Sequence, residues 1–419
     1  MTGEPGGSGF SRRQLLLGGA AAAGAGAASV LGAQAVGGAL AGTAGSGSAG
    51  AGESAAAAAA RETAVGEAIV PFHGARQAGI ETPPQAHARF IALDLAPEID
   101  ADAIRRMLRV LSDDAARITQ GRAPLADTEP ELALMPARLT VTFGFGPGLV
   151  ARAGGVAPEW LRPLPAFGID RLRPELSGGD LLIHLGADDP VTVAHAARML
   201  LKDARSFASV RWSQQGFRRA AGAEASGSTM RNLFGQLDGT VNPAPGTDDF
   251  DELVWSAGEP SWLAGGTSMV LRRIAMDLDG WDRVDRPGRE ASVGRKLGSG
   301  APLTGEHEHD EPDFEALTPV GFPVIGDFSH LRRSRSEVPG ERIFRRGYNY
   351  DESPADGSIS DAGLLFASYQ ADVDRQFVPI QRRLDELDLL NEWTTPIGSA
   401  VFAIPPGCAE GGYVGDTLV

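Results

Sequence analysis

A single acid, Asp238, stands between two glycines in the stretch Leu233-Phe234-Gly235-Gln236-Leu237-Asp238-Gly239-Thr240-Val241-Asn242-Pro243. Glycine on both sides allows the backbone to turn sharply and to approach a flat ligand closely. The carboxylate is then held at the edge of a core, where its surroundings can tune it for accepting and returning a proton. The alternative interpretation is an ordinary turn, because Asp-Gly pairs are common in turns.

The composition is acidic and poor in thiols. The 419 residues include 54 Asp and Glu against 38 Lys and Arg, which gives a formal net charge of -16. Such a surface repels phosphate backbones, so no nucleic-acid partner is expected. Cys408 is the only cysteine of the sequence, which excludes an intramolecular disulfide, a cysteine-based zinc cluster and a cysteine-ligated iron–sulfur centre.

The N-terminus has the features of an export signal. Arg12 and Arg13 precede an apolar run rich in alanine and glycine, and no charge follows Arg13 until Glu53. Paired arginines before a mildly apolar region predict a twin-arginine signal, with the twin-arginine export machinery as a partner and an extracellular, cell-surface or periplasmic location. The alternative is a disordered tail with two chance arginines. Residues 1–60 are therefore assigned to signal and low-complexity linker and are excluded from the fold.

The remainder shows the same order of elements twice. Hydrophobic periodicity predicts strands at 88–95, 139–146, 180–185 and 208–212 with helices at 99–116 and 190–207, then strands at 267–276, 363–370 and 400–405 with helices from 281 and at 377–390. Polar segments at 246–260 and 288–319 are predicted to be surface insertions. Strands interrupted by helices that cover one face predict an α+β fold of two ferredoxin-like domains, residues 61–232 and 233–419, each with an antiparallel sheet covered by helices.

Several candidate catalytic or ligand-binding residues follow Asp238 in the second half. His330 lies in Gly326-Asp327-Phe328-Ser329-His330-Leu331-Arg332-Arg333, Arg345 lies in Ile343-Phe344-Arg345-Arg346-Gly347-Tyr348, and Glu392 lies before Trp393. Of the other histidines, His184 alternates within a strand and is expected in the core, and His195 is expected at a polar helix position. His307 and His309 lie in an acidic loop, for which a solvated surface is favoured over a stray divalent-metal site.

In these segments the chain resembles the dye-decolorizing-type haem peroxidases, specifically their exported, deferrochelatase-like branch. The resemblance extends from Val70 to the C-terminus. It rests on six motifs in order: Val70-Pro71-Phe72-His73-Gly74 with Gln77, Gly79 and Ile80; Phe143-Gly144-Phe145-Gly146-Pro147-Gly148; Gly235 to Gly239 with Thr240 and Asn242-Pro243; the His330 segment; Arg345-Arg346-Gly347-Tyr348; and Gly363-Leu364-Leu365-Phe366.

The resemblance implies a haem b cofactor (iron protoporphyrin IX) with His330 as the proximal ligand of the iron. Glu392 is expected to accept the other ring N–H of His330, with Asp388 as a possible substitute. Arg335 is expected to contact a haem propionate. Its competitors for that role are Arg332, Arg333 and Arg273.

On the opposite face the resemblance implies that Asp238 and Arg345 form the distal pair. Asp238 would move a proton between the two oxygens of peroxide, and Arg345 would stabilise the charge that builds on the leaving oxygen. Arg346 is expected to face a propionate or solvent. Gly239, Thr240 and Val241 would lie against the haem edge.

The implied function is reduction of hydrogen peroxide, with oxidation of phenolic, dye-like or metal donors through a ferryl intermediate. For bulky dyes, surface aromatics could relay electrons, and the candidates are Tyr348, Tyr350, Tyr369 and Trp393. The first alternative is an iron-uptake role of the deferrochelatase type, oxidising ferrous iron or releasing iron from haem beside a membrane iron permease. The second is a binding protein without haem on a ferredoxin-like scaffold.

Overall fold

The computed structural model of the protein describes residues 65–225, 227–354 and 358–419. The predicted export signal at residues 1–60 lies outside this range. Within the described residues, none of the helices has the length and apolar character needed to cross a membrane.

Four strands of the first half pair antiparallel in the spatial order β2–β3–β1–β4. Their bounds are β1 His87–Leu95, β2 Thr140–Phe145, β3 Leu181–Ala187 and β4 Ala208–Phe217. The helices of this half are α1 Ala101–Ile118, α2 Pro147–Arg152 and α3 Pro190–Ala204.

The second half has the order β9–β5–β8–β7, with a short strand β6 also paired to β8. Its strands are β5 Thr267–Met276, β6 Phe344–Arg345, β7 Tyr348–Glu352, β8 Asp361–Gln370 and β9 Thr394–Ile404. Its helices are α4 Asp248–Val254, α5 Leu278–Asp282, α6 Arg286–Val293, α7 His330–Ser334 and α8 Val378–Leu387.

Two bridges join the halves. Phe145 of β2 pairs with Ala403 of β9, and Phe217 of β4 pairs with Asn349 of β7. Within the described residues the nine strands therefore form one sheet, which closes into a barrel because β5 pairs with both β8 and β9. The fold is a mixed α/β fold, and the domain boundary after residue 232 stays a prediction.

The sequence explains why α1 forms where it does. Asp100 caps its first turn, since its side chain accepts from Ala103 N at 2.8 Å. Ile104, Leu108 and Leu111 recur at helical spacing and are completely buried. They pack against the sheet and α3 in one hydrophobic core.

A second core fills the space between the two sets of strands. Phe90, Tyr348 and Phe402 are completely buried there. His184 stacks on Phe90 with 4.3 Å between ring centroids. Burial, followed by the nearby Arg346 charge, lowers the pKa of His184 to about 3. The prediction that His184 is a core residue is confirmed.

Some element predictions were wrong. The segment 246–260 contains α4 and the segment 288–319 contains part of α6, so these insertions are partly ordered into helices. Strand β4 continues to Phe217, beyond the predicted end at 212. From Trp212 on, exposed Ser213 and Gln215 alternate with buried Gln214 and Gly216, so the hydrophobic signal of this part is weak while its pairing with β1 is long.

Candidate active site

The glycine-flanked stretch forms a tight loop that closes on itself. Gly235 and Gly239 have φ of 81° and 124°, in the left-handed region that favours glycine. Asn232 Oδ1 accepts from Phe234 N at 3.1 Å and from Gln236 N at 3.2 Å. At the end of the loop, Asp238 N donates to Met230 O at 2.8 Å. These bonds fix the direction in which the Asp238 side chain leaves the backbone.

Asp238 and Arg345 lie together. Arg345 Nη2 is 2.8 Å from Asp238 Oδ1, and the side chains are 25% and 13% exposed. Arg345 belongs to β6, and its guanidinium carbon lies 5.9 Å from the ring centroid of Phe366 on β8. Asn232 Nδ2 also donates to Asp238 Oδ2 at 3.4 Å. The carboxylate and guanidinium that the sequence predicted as a pair are thus salt-bridged and still accessible.

His330 begins α7, which Ser329 caps by accepting from Arg332 N. His330 Nδ1 lies 2.6 Å from Asp388 Oδ2. Asp388 follows α8, and its other carboxylate oxygen accepts from Leu390 N at 3.0 Å. The aspartate is therefore held from both sides, which fixes the ring orientation of His330.

The prediction that Glu392 binds the imidazole was wrong, because Asp388 occupies that position. Between the two acids the chain makes a 3-10 turn, Leu389–Glu392, for which Asp388 is the cap. The turn leaves the Asp388 carboxylate pointing inward and buried, while Glu392 is exposed. Asp388, the predicted substitute, is therefore the residue that holds His330.

Several charged groups shift the pKa of His330. Burial lowers its pKa, but the Asp388 carboxylate raises it more, so the net pKa lies above the ordinary value. Arg345 opposes this shift and Asp238 adds to it, which places the salt-bridged pair within electrostatic range of the imidazole. His330 Nε2 has no hydrogen-bond partner among the residues that the structure describes, and the side chain is 31% exposed.

The residues after Asp238 face an acidic loop. Thr240 Oγ1 donates to Glu308 Oε1 at 2.9 Å, and Val241 is 61% exposed. Arg295 Nη1 donates to Glu308 O at 2.9 Å and so anchors the loop. No group of three or more His, Cys, Asp or Glu suited to a metal ion occurs within the described parts of the chain, the loop with His307 included.

The arginines proposed for propionate contact all have protein partners in this structure. Arg335 is salt-bridged to Glu311. The competitors pair elsewhere: Arg332 with Asp327, Arg333 with Glu386 and Arg273 with Glu352. Of these four, Arg335 bonds to Glu311, three residues from the Glu308 that accepts from Thr240.

The prediction that Arg346 faces a propionate or solvent was wrong. Arg346 is completely buried. Its guanidinium donates to the carbonyl oxygens of Ile80 and Thr82 and to Gln85 Oε1. Consecutive residues of an extended segment point to opposite sides, so Arg345 reaches the site while Arg346 ties the two halves together.

His195, predicted at a polar helix position, lies on α3, is buried, and has its Nε2 2.9 Å from Asp127 Oδ2. The prediction of surface aromatics was wrong for the three tyrosines. Tyr348, Tyr350 and Tyr369 are buried in the core and cannot serve as surface sites for bulky dyes. Trp393 is partly buried and contacts Trp281 edge to face at 5.1 Å.

Sequence reasoning missed Asn232 and Asn242, which organise the loop. Asn232 is bonded to the loop backbone and to Asp238, as given above. Asn242 was quoted only as part of a motif. The available signal was chemical: an asparagine side chain carries both a donor and an acceptor and readily binds nearby backbone, especially beside glycine and proline.

The fold is a mixed α/β barrel, and its second half carries both an imidazole held by a carboxylate and an acid–guanidinium pair. Two family models match the chain, Dyp-type peroxidase, N-terminal, over residues 77–218 and Dyp-type peroxidase, C-terminal, over residues 229–409. The chain belongs to the Dyp-type peroxidase family.

Its relatives agree with this assignment. The chain is 39% identical over 361 residues to a dye-decolorizing peroxidase of Thermobifida fusca, covering 82% of this chain and 84% of the relative. It is 34% identical to a deferrochelatase of Escherichia coli over 83% of this chain and 87% of the relative. A solved DyP-type peroxidase structure from Cellulomonas bogoriensis aligns with a TM-score of 0.83 and 57% identity, over 85% of this chain and 99% of that one.

Proposed function

We propose that the protein is a haem b peroxidase that reduces hydrogen peroxide and oxidises small phenolic, dye-like or metal donors. The observation that carries the proposal is the geometry of two pairs: Asp388 holds the imidazole of His330 at 2.6 Å, and Arg345 is salt-bridged to Asp238 at 2.8 Å. The Dyp-type peroxidase family membership supports the same reaction class.

The residues present fit a haem group. A neutral imidazole binds iron through one nitrogen while the other is held by a carboxylate, and His330 has Nδ1 held and Nε2 free of partners among the described residues. Bound haem would supply an iron centre that passes electrons between peroxide and donor. Gly239, Thr240 and Val241 would lie along its edge, and Arg335 would hold a propionate after exchanging its partner Glu311.

Asp238 and Arg345 then have separate roles: one transfers the proton and the other stabilises negative charge. Asp238 takes the proton from one peroxide oxygen and returns it to the other as the O–O bond breaks. Arg345 keeps its positive charge throughout, because guanidinium does not deprotonate in proteins. It stabilises the negative charge on the departing oxygen from a fixed position beside Asp238.

One optical experiment tests this proposal. The purified full chain, after haem is offered, is expected to show a Soret band that changes when hydrogen peroxide is added. His330→Ala is expected to lose that band or the change, while His309→Ala, which removes an exposed imidazole, retains both. A wild-type protein without a Soret band would support the binding protein without haem instead.

The second candidate function is iron uptake of the deferrochelatase type. The 34% identity to the Escherichia coli deferrochelatase over most of both chains favours it. In this role the same site would oxidise ferrous iron or release iron from haem, with a membrane iron permease as partner. Mass spectrometry of the pigment after incubation separates iron release from the peroxidase reaction, because iron release leaves metal-free porphyrin and the peroxidase reaction leaves haem.

We also propose that the fold is a duplicated ferredoxin-like unit and that the protein is exported. Each half has the strand order expected for a ferredoxin-like unit, β2–β3–β1–β4 in one and β9–β5–β8–β7 in the other, which supports a duplicated ferredoxin-like fold. The paired Arg12 and Arg13 before an uncharged run support export by the twin-arginine route to the cell surface, periplasm or medium.

A further inference from the structure

Asn242 holds the backbone of Arg345 with both ends of its side chain. Its Oδ1 accepts from Arg345 N at 2.9 Å, and its Nδ2 donates to Arg345 O at 2.7 Å. Asn242 lies four residues after Asp238, in the same loop. Its own N–H donates to Gly239 O at 3.0 Å, so its backbone is fixed by a turn before its side chain reaches Arg345.

The strand that carries Arg345 explains why such a contact is needed. Strand β6 has two residues, Phe344 and Arg345, and pairs with β8. Arg346 N donates to Ala367 O at 2.8 Å. In an antiparallel pair, alternate residues point their N–H and C=O away from the partner strand, so those of Arg345 face the opposite side. Asn242 hydrogen-bonds both the N–H and the C=O of Arg345 on that side, as a neighbouring strand would.

This contact and the salt bridge close a ring. One connection is the Asn242 side chain on the Arg345 backbone, and the other is Arg345 Nη2 on Asp238 Oδ1 at 2.8 Å. The turn from Asp238 to Asn242 completes the ring. The loop that carries the Asp238 carboxylate therefore also fixes the position of the Arg345 guanidinium. The pairing of β6 with β8 is not the sole constraint.

We propose that Asn242 is a positioning residue that sets the register between Asp238 and Arg345, which is an inference that rests on the proposed peroxidase function. Asn242 acts through Arg345 and takes no part in the proton transfer. A misplacement of about 1 Å of a catalytic group can slow a reaction roughly a hundredfold, so the clamp matters to the reaction with peroxide.

The chain offers a matched control. Gln77 makes the same twin contact with another backbone: its Oε1 accepts from Phe143 N at 2.8 Å and its Nε2 donates to Phe143 O at 3.0 Å. Phe143 lies in β2, which carries none of the site residues. Gln77→Ala therefore removes a similar clamp elsewhere in the fold, together with a further hydrogen bond from Nε2 to Pro405 O at 2.9 Å.

The first measurement is amide hydrogen exchange of the full chain, with and without haem. Asn242→Ala is expected to speed exchange in the peptide that spans residues 343–347 by roughly tenfold or more, because the Arg345 N–H loses its acceptor. Gln77→Ala is expected to speed exchange around residue 143 and to leave 343–347 unchanged. Unchanged exchange at 343–347 in Asn242→Ala would overturn the clamp itself.

The second measurement is the rate constant with hydrogen peroxide by rapid mixing of the haem-loaded protein. Asn242→Ala is expected to slow it roughly tenfold to a hundredfold, with haem content retained, and Gln77→Ala is expected to leave it unchanged. In an Arg345→Leu background, Asn242→Ala is expected to slow the reaction no further. An equal slowing in both backgrounds would show that Asn242 acts by another route and would overturn the proposal.

The two readouts separate this inference from the proposed function. A wild-type protein that fails to react with peroxide would refute the peroxidase proposal, whereas the exchange experiment without haem would still decide on the clamp. If Asn242→Ala lowers stability too far to be loaded, Asn242→Asp retains the acceptor for Arg345 N and loses the donor to Arg345 O. In that variant, exchange at Arg345 N is expected to stay normal while the reaction with peroxide slows, and an unchanged peroxide rate would overturn the proposal.

Discussion

At the scale of single residues, the site brings together two pairs, each made of a carboxylate and a nitrogen-containing side chain. Asp238 is bonded to Arg345 at 2.8 Å, and His330 is bonded to Asp388 at 2.6 Å. In the first pair both members stay accessible, which suits proton exchange with a small molecule. In the second pair the carboxylate is buried and held, which suits a fixed ring orientation.

Asp238→Asn is expected to slow the reaction with hydrogen peroxide by about 10²- to 10⁴-fold, because the amide cannot take and return the proton. Haem content should not change, since the substitution keeps the shape of the side chain. Rapid mixing followed at the Soret band measures the rate. Asp102→Asn, an exposed acid on α1, serves as the control. A variant rate equal to that of the wild type would remove Asp238 from the proton path.

Asp388→Asn is expected to lower haem affinity or peroxidase activity by about 10- to 100-fold, because the imidazole loses its negative partner. Glu392→Gln is expected to leave both unchanged, since Glu392 is exposed. Haem titration and the midpoint potential of the iron distinguish the two variants, with a more positive potential in Asp388→Asn. The reverse order of effects would restore Glu392 as the partner.

At the scale of elements, α1 and α3 bring two acids together in the first half. Asp114 of α1 is buried, and the carboxyls of Asp114 and Asp203 of α3 influence each other's pKa. Burial, followed by the Asp114 carboxyl, raises the pKa of Asp203 to about 7. The charged groups around them are Asp113, Arg117, Asp127, Lys202 and Arg205.

This pair predicts a stability change with pH. A carboxyl whose folded-state pKa is about 7 and whose unfolded pKa is about 3.9 stabilises the fold at low pH, and this contribution is lost as the pH rises through 7. Asp203→Asn is expected to remove that loss, so that Tm between pH 5 and 8 falls less than in the wild type, by about 2–4 °C. Scanning calorimetry at a fixed rate measures it. Identical profiles for wild type and variant would mean that the pair shares no proton in the fold.

At the scale of the whole molecule, one barrel places residues from distant parts of the chain around a single site. Asp238 comes from the loop before α4, Arg345 from β6 and His330 from α7. Arg346 bonds across to Ile80 and Gln85, so the second half carries the site while the first half supports it.

Replacement of Arg12 and Arg13 together by lysine is expected to abolish export of the full chain in a host with twin-arginine transport. The reason is that this route recognises the paired guanidinium groups of the signal. Immunoblots of the cytoplasmic and exported fractions measure the outcome. Arg105 and Arg106, an adjacent pair on α1, provide the control when replaced in the same way. Full export of the Arg12 and Arg13 variant would refute the signal.

Local sequence is enough to predict the periodic elements and the residues that motifs fix locally. β5 was predicted at its observed bounds because its hydrophobic run is bounded by glycine and an acidic turn. Asp238 was identified because the glycines at 235 and 239 force a loop there, which is a property of adjacent residues.

Packing between distant segments selects which of two neighbouring candidates turns inward. Asp388 and Glu392 stand four residues apart, and the turn after α8 directs one inward and exposes the other. Arg346 enters the core because β6 pairs with β8 in one register, which the sequence of a two-residue strand does not encode. The clamp of Asn242 on Arg345 joins groups 103 residues apart. Such choices depend on packing between distant segments, whereas local sequence specifies only the segments themselves.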